Sequence, residues 1–318
     1  MMNNHQISSV CKQARLKISI ILVLSVVGMI YGCTTIDSGE LPVQFNAQRA
    51  FQDVEKQVSL GPRTPDSPGH RKTAELISLV LDSAGWEVQI QDTKRSGFSV
   101  KNIIGKYGQG RPIIIFGAHY DTRMFADRDL NPANQGLPVP GANDGASGVA
   151  VLLELARILP SHLELHKSSQ ENKNGQVWLV FFDAEDNGKI AGRDWILGSR
   201  AFVEQLIEKP DAAIIIDMIG DANLDVYKEK NSTPELVDQI WSHAEKLGYG
   251  DKIIPKYDKR IIDDHVPFIE AGIPAVDIID FNYPYYHTVQ DTPDKVSPAS
   301  LKLMGELLLS WLINHGLQ

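Results

Sequence analysis

Ionisable side chains follow the apolar runs of this sequence, and their types could together bind a metal ion. Buried carboxylates repel one another, and their burial is costly unless a cation neutralises the charge. Histidine and carboxylate ligands without cysteine are typical of catalytic zinc sites, which keep one coordination position open. The candidate ligands and acids are His119, Asp144, Glu185, Asp186, Asp217 and His287.

Each of these residues, taken alone, also has an ordinary structural explanation. Asp144 could cap the helix that follows it, and His119 could be a hydrogen-bonded histidine of the core. The acidic residues at 183–186 could form a solvated loop. Five separate strand ends carry such residues, however, and parallel strands bring their carboxyl ends to one edge of a sheet. This coincidence favours one shared metal site.

The apolar runs alternate with segments of helical periodicity. Continuous apolar strands indicate burial on both faces, which favours a largely parallel sheet with helices on both sides. The predicted fold class is therefore α/β, a three-layer αβα sandwich with a central mixed, mostly parallel sheet. The predicted strands are 86–90, 98–105, 113–116, 177–182, 212–216 and 275–279, and the predicted helices are 51–60, 73–84, 145–159, 234–247 and 298–314.

The composition excludes several classes of protein. The chain of 318 residues is 43% hydrophobic and 22% charged, which is ordinary for a globular protein. Its formal charge of −9 lacks the basic excess that phosphate contacts require, so no nucleic-acid partner is expected. Only two cysteines are present, Cys11 and Cys33, which excludes a disulfide-rich scaffold and a zinc site built from several thiolates.

Residues 1–32 have the pattern of a secretory signal peptide, because basic residues precede a short apolar run at 18–30. The segment 30–33 resembles a bacterial lipoprotein box, and this resemblance implies that Cys33 is lipidated and begins the mature chain. An uncleaved anchor helix is the alternative. Either way, the protein is expected outside the cytoplasm, held at a membrane of the bacterial cell envelope. Residues 33–43 would form a tether, and residues 44–318, which no linker divides, a single domain.

Six short motifs occur in a characteristic order along residues 112–290. They lie at 117–121, 143–148, 182–186, 217–220, 264–268 and 286–288. Together they resemble the ordered motif series of the M28 zinc-peptidase family. That family contains two main chemistries: aminopeptidases with two zinc ions, and the single-zinc glutaminyl cyclases of the animal type, which also occur in bacteria.

The resemblance implies a role for each matched residue. Asp144, Asp186 and His287 would bind zinc in both branches, and Glu185 would be the general base and acid. Asp186 stands where the family most often has Glu, and it remains an oxygen ligand one methylene shorter. In the peptidases the residues at positions 119 and 217, here His119 and Asp217, complete a second metal site, whereas the cyclases retain both residues without binding metal there.

Asp263 distinguishes the two branches. Peptidases of the family commonly have Ser-Asp-His before Pro-Phe, whereas the cyclases have Asp-Asp-His, as residues 263–265 do here. The resemblance implies that Asp263 orients the substrate amine and hydrogen-bonds to Asp217. It also implies that Trp195 and Tyr286, the latter at a position where animal cyclases have Trp, line the substrate pocket with His265 nearby. Trp195 could equally be a core residue.

The predicted function is zinc-dependent glutaminyl-peptide cyclotransfer, which converts an N-terminal glutamine to pyroglutamate and releases ammonia. The expected cofactor is one zinc ion, and the expected substrates are peptide or protein N-termini. A two-zinc M28 aminopeptidase is the alternative. A third possibility is an inactive binding lipoprotein, against which the intact Glu185 argues. The histidines outside the motifs are expected at the surface, namely His70, His162, His166, His243 and His315.

Overall fold

A central six-stranded sheet organises the protein. The computed structural model describes residues 44–169 and 175–317, so the predicted signal segment, Cys33 and the tether lie outside the described residues. The sheet has the order β1-β2-β4-β3-β5-β8. Its strands are β1 (Glu87–Arg95), β2 (Phe98–Gln109), β3 (Ile113–His119), β4 (Gly175–Phe182), β5 (Ala212–Asp217) and β8 (Ala275–Ile279), while β6 (Val226–Lys228) and β7 (Ile253–Tyr257) form a separate parallel pair.

Strands β4, β3, β5 and β8 run parallel to one another, whereas β1 and β2 form an antiparallel edge against β4. The sheet is therefore mixed and mostly parallel. The helices are α1 (Ala47–Ser59), α2 (Pro68–Ser83), α3 (Ala146–Ser169), α4 (Leu197–Glu204), α5 (Pro234–Lys246), α6 (Val266–Glu270) and α7 (Pro298–Trp311).

Alternate residues of each central strand pack into two different cores. In β3, Ile114 and Phe116 face the larger core, which α1, α2, α3, α5 and α7 cover. Ile113 and Ile115 face the smaller core, to which α4 and α6 contribute Phe202 and Phe268. Helices on both faces of the sheet confirm the predicted three-layer αβα architecture.

Helix α2 begins earlier than the predicted residue 73. Ser67 caps it by accepting a hydrogen bond from the backbone N–H of His70 at 3.0 Å, and Pro68 occupies its first turn. Gly85, with a φ of +82°, follows the end of the helix as predicted.

Helix α3 is longer than predicted, because it continues past Pro160 to Ser169. Leu155, Leu159 and Leu163 are buried along one side of it, so packing against the core stabilises the helix beyond the proline. Residues Ala146–Leu165 are also long and apolar enough to cross a membrane by length and composition alone. Of this stretch, 78% is buried within the protein, which is typical of a core helix.

Candidate active site

The carboxyl ends of the parallel strands bring the predicted metal ligands together. His119 is the last residue of β3 and Asp217 the last residue of β5. Glu185 and Asp186 follow the end of β4, and His287 lies beyond β8. Because these strands are neighbours in the sheet, their ends meet at one edge, as is general for ligand sites of such folds.

Five of these side chains form two groups that share one residue. The first group is His119, Asp144 and Asp217, and the second is Asp144, Asp186 and His287. In each group the candidate ligand atoms all lie within 4.8 Å of one another. All five residues are buried.

Asp144 faces both groups through its two carboxylate oxygens. Its Oδ1 lies 3.2 Å from Nε2 of His119, and its Oδ2 lies 3.6 Å from Nε2 of His287. Asp217 Oδ1 is 3.1 Å from the same nitrogen of His119, and Asp186 Oδ1 is 2.7 Å from that of His287. The two groups are thus arranged around a single central carboxylate.

Unpaired oxygens show that these residues suit a bound cation. Among the described residues, Oδ2 of Asp144 and Oδ2 of Asp186 are buried without a hydrogen-bond partner. Leaving such oxygens unpaired is costly, and coordination to a metal would remove that cost. Imidazole nitrogen and carboxylate oxygen without thiolate form a normal donor set for catalytic zinc. The second group therefore fits the metal that its residue types predict.

Hydrogen bonds of Asp121 and Asp183 anchor the turn that carries Glu185. Ala184 has a φ of +53°, a backbone conformation that is uncommon for a residue with a side chain. The Asp121 carboxylate accepts hydrogen bonds from the backbone N–H groups of Glu185 at 3.0 Å and Asp186 at 3.3 Å. Asp183 in turn contacts His70 Nε2 at 2.7 Å. These contacts hold the turn rigidly at the end of β4.

Glu185 is poised to exchange a proton. Burial raises its pKa well above the usual range, and the negative charge of Asp263 raises it further. A cation bound at the neighbouring ligands would stabilise the carboxylate and lower this pKa again. A carboxyl group with these opposing influences is suited to general acid–base catalysis.

A cavity of about 480 Å³ opens above these residues. The ring of Trp195 lies parallel to that of His287, with centroids 6.3 Å apart, and Tyr286 packs against His287 at 3.6 Å. Trp195 is therefore a wall of the cavity rather than a core residue. The acidic residues of the cavity are Asp144, Glu185, Asp186, Asp217 and Asp263, its cationic residues are Lys259 and Arg260, and the rest of its lining is Trp195, Met218, Ile261, Ile262, Ile279, Phe281 and Tyr286.

Asp263 lies at the cavity as expected, but its predicted hydrogen bond to Asp217 is absent among the described residues. Asp263 Oδ1 instead accepts from the backbone N–H of Asp264, and Asp217 Oδ1 is bonded to His119. Burial raises the pKa of Asp217 to about 7, a rise to which the charge of Asp263 adds. The two carboxylates therefore influence each other through their charges.

His265, which was expected near the substrate pocket, lies beneath the cavity and not in its lining. It is fully buried. Its Nε2 lies 3.3 Å from Oε2 of Glu229, and its Nδ1 lies 3.8 Å from Oδ2 of Asp277. His265 therefore lies between two buried acids, Glu229 and Asp277, directly after the Asp263-Asp264 pair in the chain.

Sequence patterns gave no indication of Arg63, which is fully buried. Its guanidinium donates hydrogen bonds to the backbone carbonyls of Tyr120 at 2.9 Å, Pro140 at 2.9 Å and Gly141 at 2.5 Å. These carbonyls belong to the segments that carry His119 and Asp144. Burial lowers the pKa of Arg63 to about 10, which still leaves it charged at neutral pH.

The loop at 122–139 supplies a second unexpected pair. Arg123 donates to the backbone carbonyl of Asp186 at 2.9 Å and to the carboxylate of Asp127. Asp127 Oδ1 lies 3.5 Å from Nδ1 of His287. Both residues therefore stabilise the second ligand group from the side of this loop. In the sequence, only the length and polarity of the loop indicated a role near the site.

His70 contradicts the expectation that histidines outside the motifs lie at the surface. It is 7% exposed, stacks on Tyr120 with ring centroids 4.9 Å apart, and borders a separate cavity of about 570 Å³ between α2 and the β1–β2 edge. None of the predicted metal ligands lines that cavity. His243 is also buried and contacts His315.

Comparison with known proteins agrees with this geometry. The model of Peptidase family M28 matches residues 102–312. The solved structure of Porphyromonas gingivalis glutaminyl cyclase is 33% identical, covers 84% of this chain and 98% of its own, and has a TM-score of 0.76. The structure of a leucine aminopeptidase precursor from Bacteroides thetaiotaomicron is 31% identical, with coverages of 86% and 99% and a TM-score of 0.77. The glutaminyl-peptide cyclotransferase-like protein of Bos taurus is 23% identical over 80% of this chain and 72% of its own.

Proposed function

We propose that this chain, which belongs to peptidase family M28, converts the N-terminal glutamine of peptides to pyroglutamate and releases ammonia. The observation that carries the proposal is the position of Asp263. This carboxylate lines the same cavity as Glu185 and the Asp144, Asp186 and His287 group. A second carboxylate beside the base has a purpose in cyclisation, because the nucleophile is the α-amine of the substrate.

The reaction forms a bond between the α-nitrogen and the side-chain carbonyl carbon of glutamine and breaks the bond from that carbon to the amide nitrogen. Asp144, Asp186 and His287 would hold zinc, which when bound polarises the side-chain carbonyl. Asp263 accepts a hydrogen bond from the amine and orients it. Glu185 takes a proton from the amine and gives it to the departing nitrogen, which leaves as ammonia.

The aromatic walls of the cavity can position the substrate. Trp195 and Tyr286 present aromatic surfaces on which the glutamine side chain can lie, and a side chain seated there would displace water from beside the reacting carbonyl. Trp195 is itself held by the guanidinium of Arg123, 4.9 Å from the ring centroid. Such displacement would favour attack by the amine over attack by water.

The first ligand group supports a second candidate function. His119, Asp144 and Asp217 could hold another zinc ion, and two ions would suit an aminopeptidase in which Glu185 activates a water molecule. The number of bound ions therefore separates the two reactions. We expect one zinc ion per chain.

The test uses purified protein without its first 32 residues. It should release ammonia from a Gln-initiated dipeptide amide and contain one zinc ion per chain by elemental analysis. Free amino acids from Leu- or Ala-amides, together with two zinc ions, would establish the aminopeptidase instead. Absence of both activities from zinc-loaded protein would favour a binding lipoprotein.

We also propose that the protein is an exported lipoprotein anchored through Cys33, from the pattern of residues 1–33. Expression in a bacterial host with labelled palmitate should label the wild-type chain in the membrane fraction. The variant Cys33→Ser should lose the label. A label that persists in this variant would exclude Cys33 as the lipidated residue.

A further inference from the structure

The cavity has an acidic floor and a basic rim. Asp144, Glu185, Asp186, Asp217 and Asp263 are all buried at its base, whereas its two cationic residues, Lys259 and Arg260, are at least partly exposed. The acids suit the amine of a peptide N-terminus. The cations lie on the exposed side of the cavity, where we place the following residues of the peptide.

Arg260 is the cation that is free to meet a substrate. Its Nη1 donates to Oδ1 of Asn231 at 2.7 Å, a neutral partner that fixes the side chain without cancelling its charge. No carboxylate in the described part of the chain lies within ion-pair distance of it. Lys259 is partly compensated, because Asp258 lies 3.6 Å away and Asn282 Oδ1 accepts from it at 3.0 Å.

The cavity has room for more than the first residue of a substrate. A volume of about 480 Å³ lies within the range of sites that enclose drug-sized ligands, which are larger than one glutamine residue. Ile262, 63% exposed, lines the same cavity as Arg260 and adds apolar surface for the stem of a side chain. A glutamate side chain, with an apolar stem and a charged end, complements this combination.

We propose that Arg260, assisted by Lys259, selects peptides that carry an acidic residue at the second or third position. The inference rests on the proposed function, because it places the N-terminal glutamine on the acidic floor. The basic rim also counters the overall charge of −9, which by itself would repel acidic peptides.

The test compares Gln-Glu-Ala-amide, Gln-Gln-Ala-amide and Gln-Lys-Ala-amide, and the same substitutions at the third position. At low salt, kcat/KM should be about three- to tenfold higher for the Glu than for the Lys peptide, mainly through KM, since an exposed ion pair is a modest interaction. The ratio should fall towards one in 0.5 M NaCl. In Arg260→Gln it should fall to within about twofold, and in Arg260→Glu it should reverse.

A matched control is Arg71→Gln, because Arg71 is an exposed arginine that lines the separate cavity beside α2. It should keep the wild-type ratio. Equal kcat/KM for the three wild-type substrates, or a ratio that Arg260→Gln leaves intact, would overturn the inference while ammonia release still supports the proposed function.

Binding measured without turnover separates the two proposals. Calorimetry on zinc-loaded Glu185→Gln should show tighter binding of the Glu than of the Lys peptide. If ammonia release fails but this difference is present and depends on Arg260, the proposed selectivity of the basic rim is supported and only the assigned reaction is wrong. If the difference is absent, the inference is wrong whatever the reaction.

Discussion

Replacement of Arg63 by methionine tests whether a buried cation holds the ligand segments in place. Methionine is unbranched and apolar but reaches only to the level of the arginine Nε, so it fills the space of the aliphatic stem and donates nothing. Three buried backbone carbonyls, those of Tyr120, Pro140 and Gly141, would each lose a hydrogen bond. The positive charge that faces the carboxylates of Asp144 and Asp291 would also disappear.

The size of the effect follows from these contacts. An unpaired buried polar group costs about 1–3 kcal/mol, and a carbonyl that keeps a second bond belongs at the lower end. Gly141 is such a case, because its oxygen also accepts from the N–H of Ala146 at 3.3 Å. We therefore expect Arg63→Met to lose about 3–4 kcal/mol of unfolding free energy. For a domain of this size, that corresponds to a fall in Tm of roughly 6–12 °C.

Urea unfolding and zinc titration would measure the consequences. Because Arg63 steadies the segment that carries Asp144, the zinc dissociation constant should rise about 10- to 100-fold. Arg71→Met, at an exposed position of α2, is the control and should change stability by less than about 0.5 kcal/mol. A loss below about 1 kcal/mol with unchanged zinc affinity would show that water can replace the guanidinium, and the reasoning would fail.

Three further changes probe the base, the pocket wall and the acids beneath the site. Glu185→Gln should lower kcat at least about 100-fold while zinc content stays the same, and turnover near the wild-type rate would exclude this residue as the base. Gly188→Ala would place a methyl group against the ring of Trp195, so KM for Gln peptides should rise about tenfold with zinc content unchanged; an unchanged KM would show that Trp195 does not contact substrate. Burial opposes ionisation of Glu229, but the contact with His265 and the hydrogen bonds from the backbone N–H groups of Asn231 and Ile261 outweigh it and lower its pKa to about 2. The folded pKa is below the unfolded value, so this group stabilises the fold above about pH 4.5, and the contribution is lost as pH falls towards 2. In EDTA, the unfolding free energy of the wild type should exceed that of Glu229→Gln by about 2 kcal/mol at pH 7, and the two should be nearly equal at pH 2. A difference that does not change with pH would contradict this assignment.

The central strands, and the ligand residues that follow them in the chain, could be predicted because the sequence patterns that mark them are local. A continuous apolar run ending in a polar residue marks each strand, and β8 has the predicted bounds. Strand β3 was predicted to end at residue 116, but it continues to His119. Gly117 allows this, since a Cβ there would lie 2.6 Å from the ring of Phe182 and 2.7 Å from the side chain of Ile215.

The supporting residues could not be predicted, because their partners are distant in the sequence. His70 looks like a surface residue beside Arg71 and Lys72, yet its partner Asp183 is 113 positions away. Arg63 likewise acts on carbonyls of residues 120 and 140–141. The local hydrophobic periodicity of the sequence gives no indication of such long-range pairs. The short helices α4 and α6 were missed because eight and five residues hold too few turns for a helical repeat to be recognised, and β6 and β7 were missed because neither is a continuous apolar run.

Asp144 allows one backbone arrangement to present two alternative sets of metal ligands. One oxygen points towards His119 and the other towards His287, so both ligand groups exist on the same backbone at the same time. The two proposed reactions, ring closure and hydrolysis, would therefore differ in the number of zinc ions bound and in a few side chains around Asp144, and neither would need a strand to move. Directed evolution that leaves Asp144 unchanged and varies residues 119, 217 and 263 is therefore a short path along which the two chemistries could be interconverted.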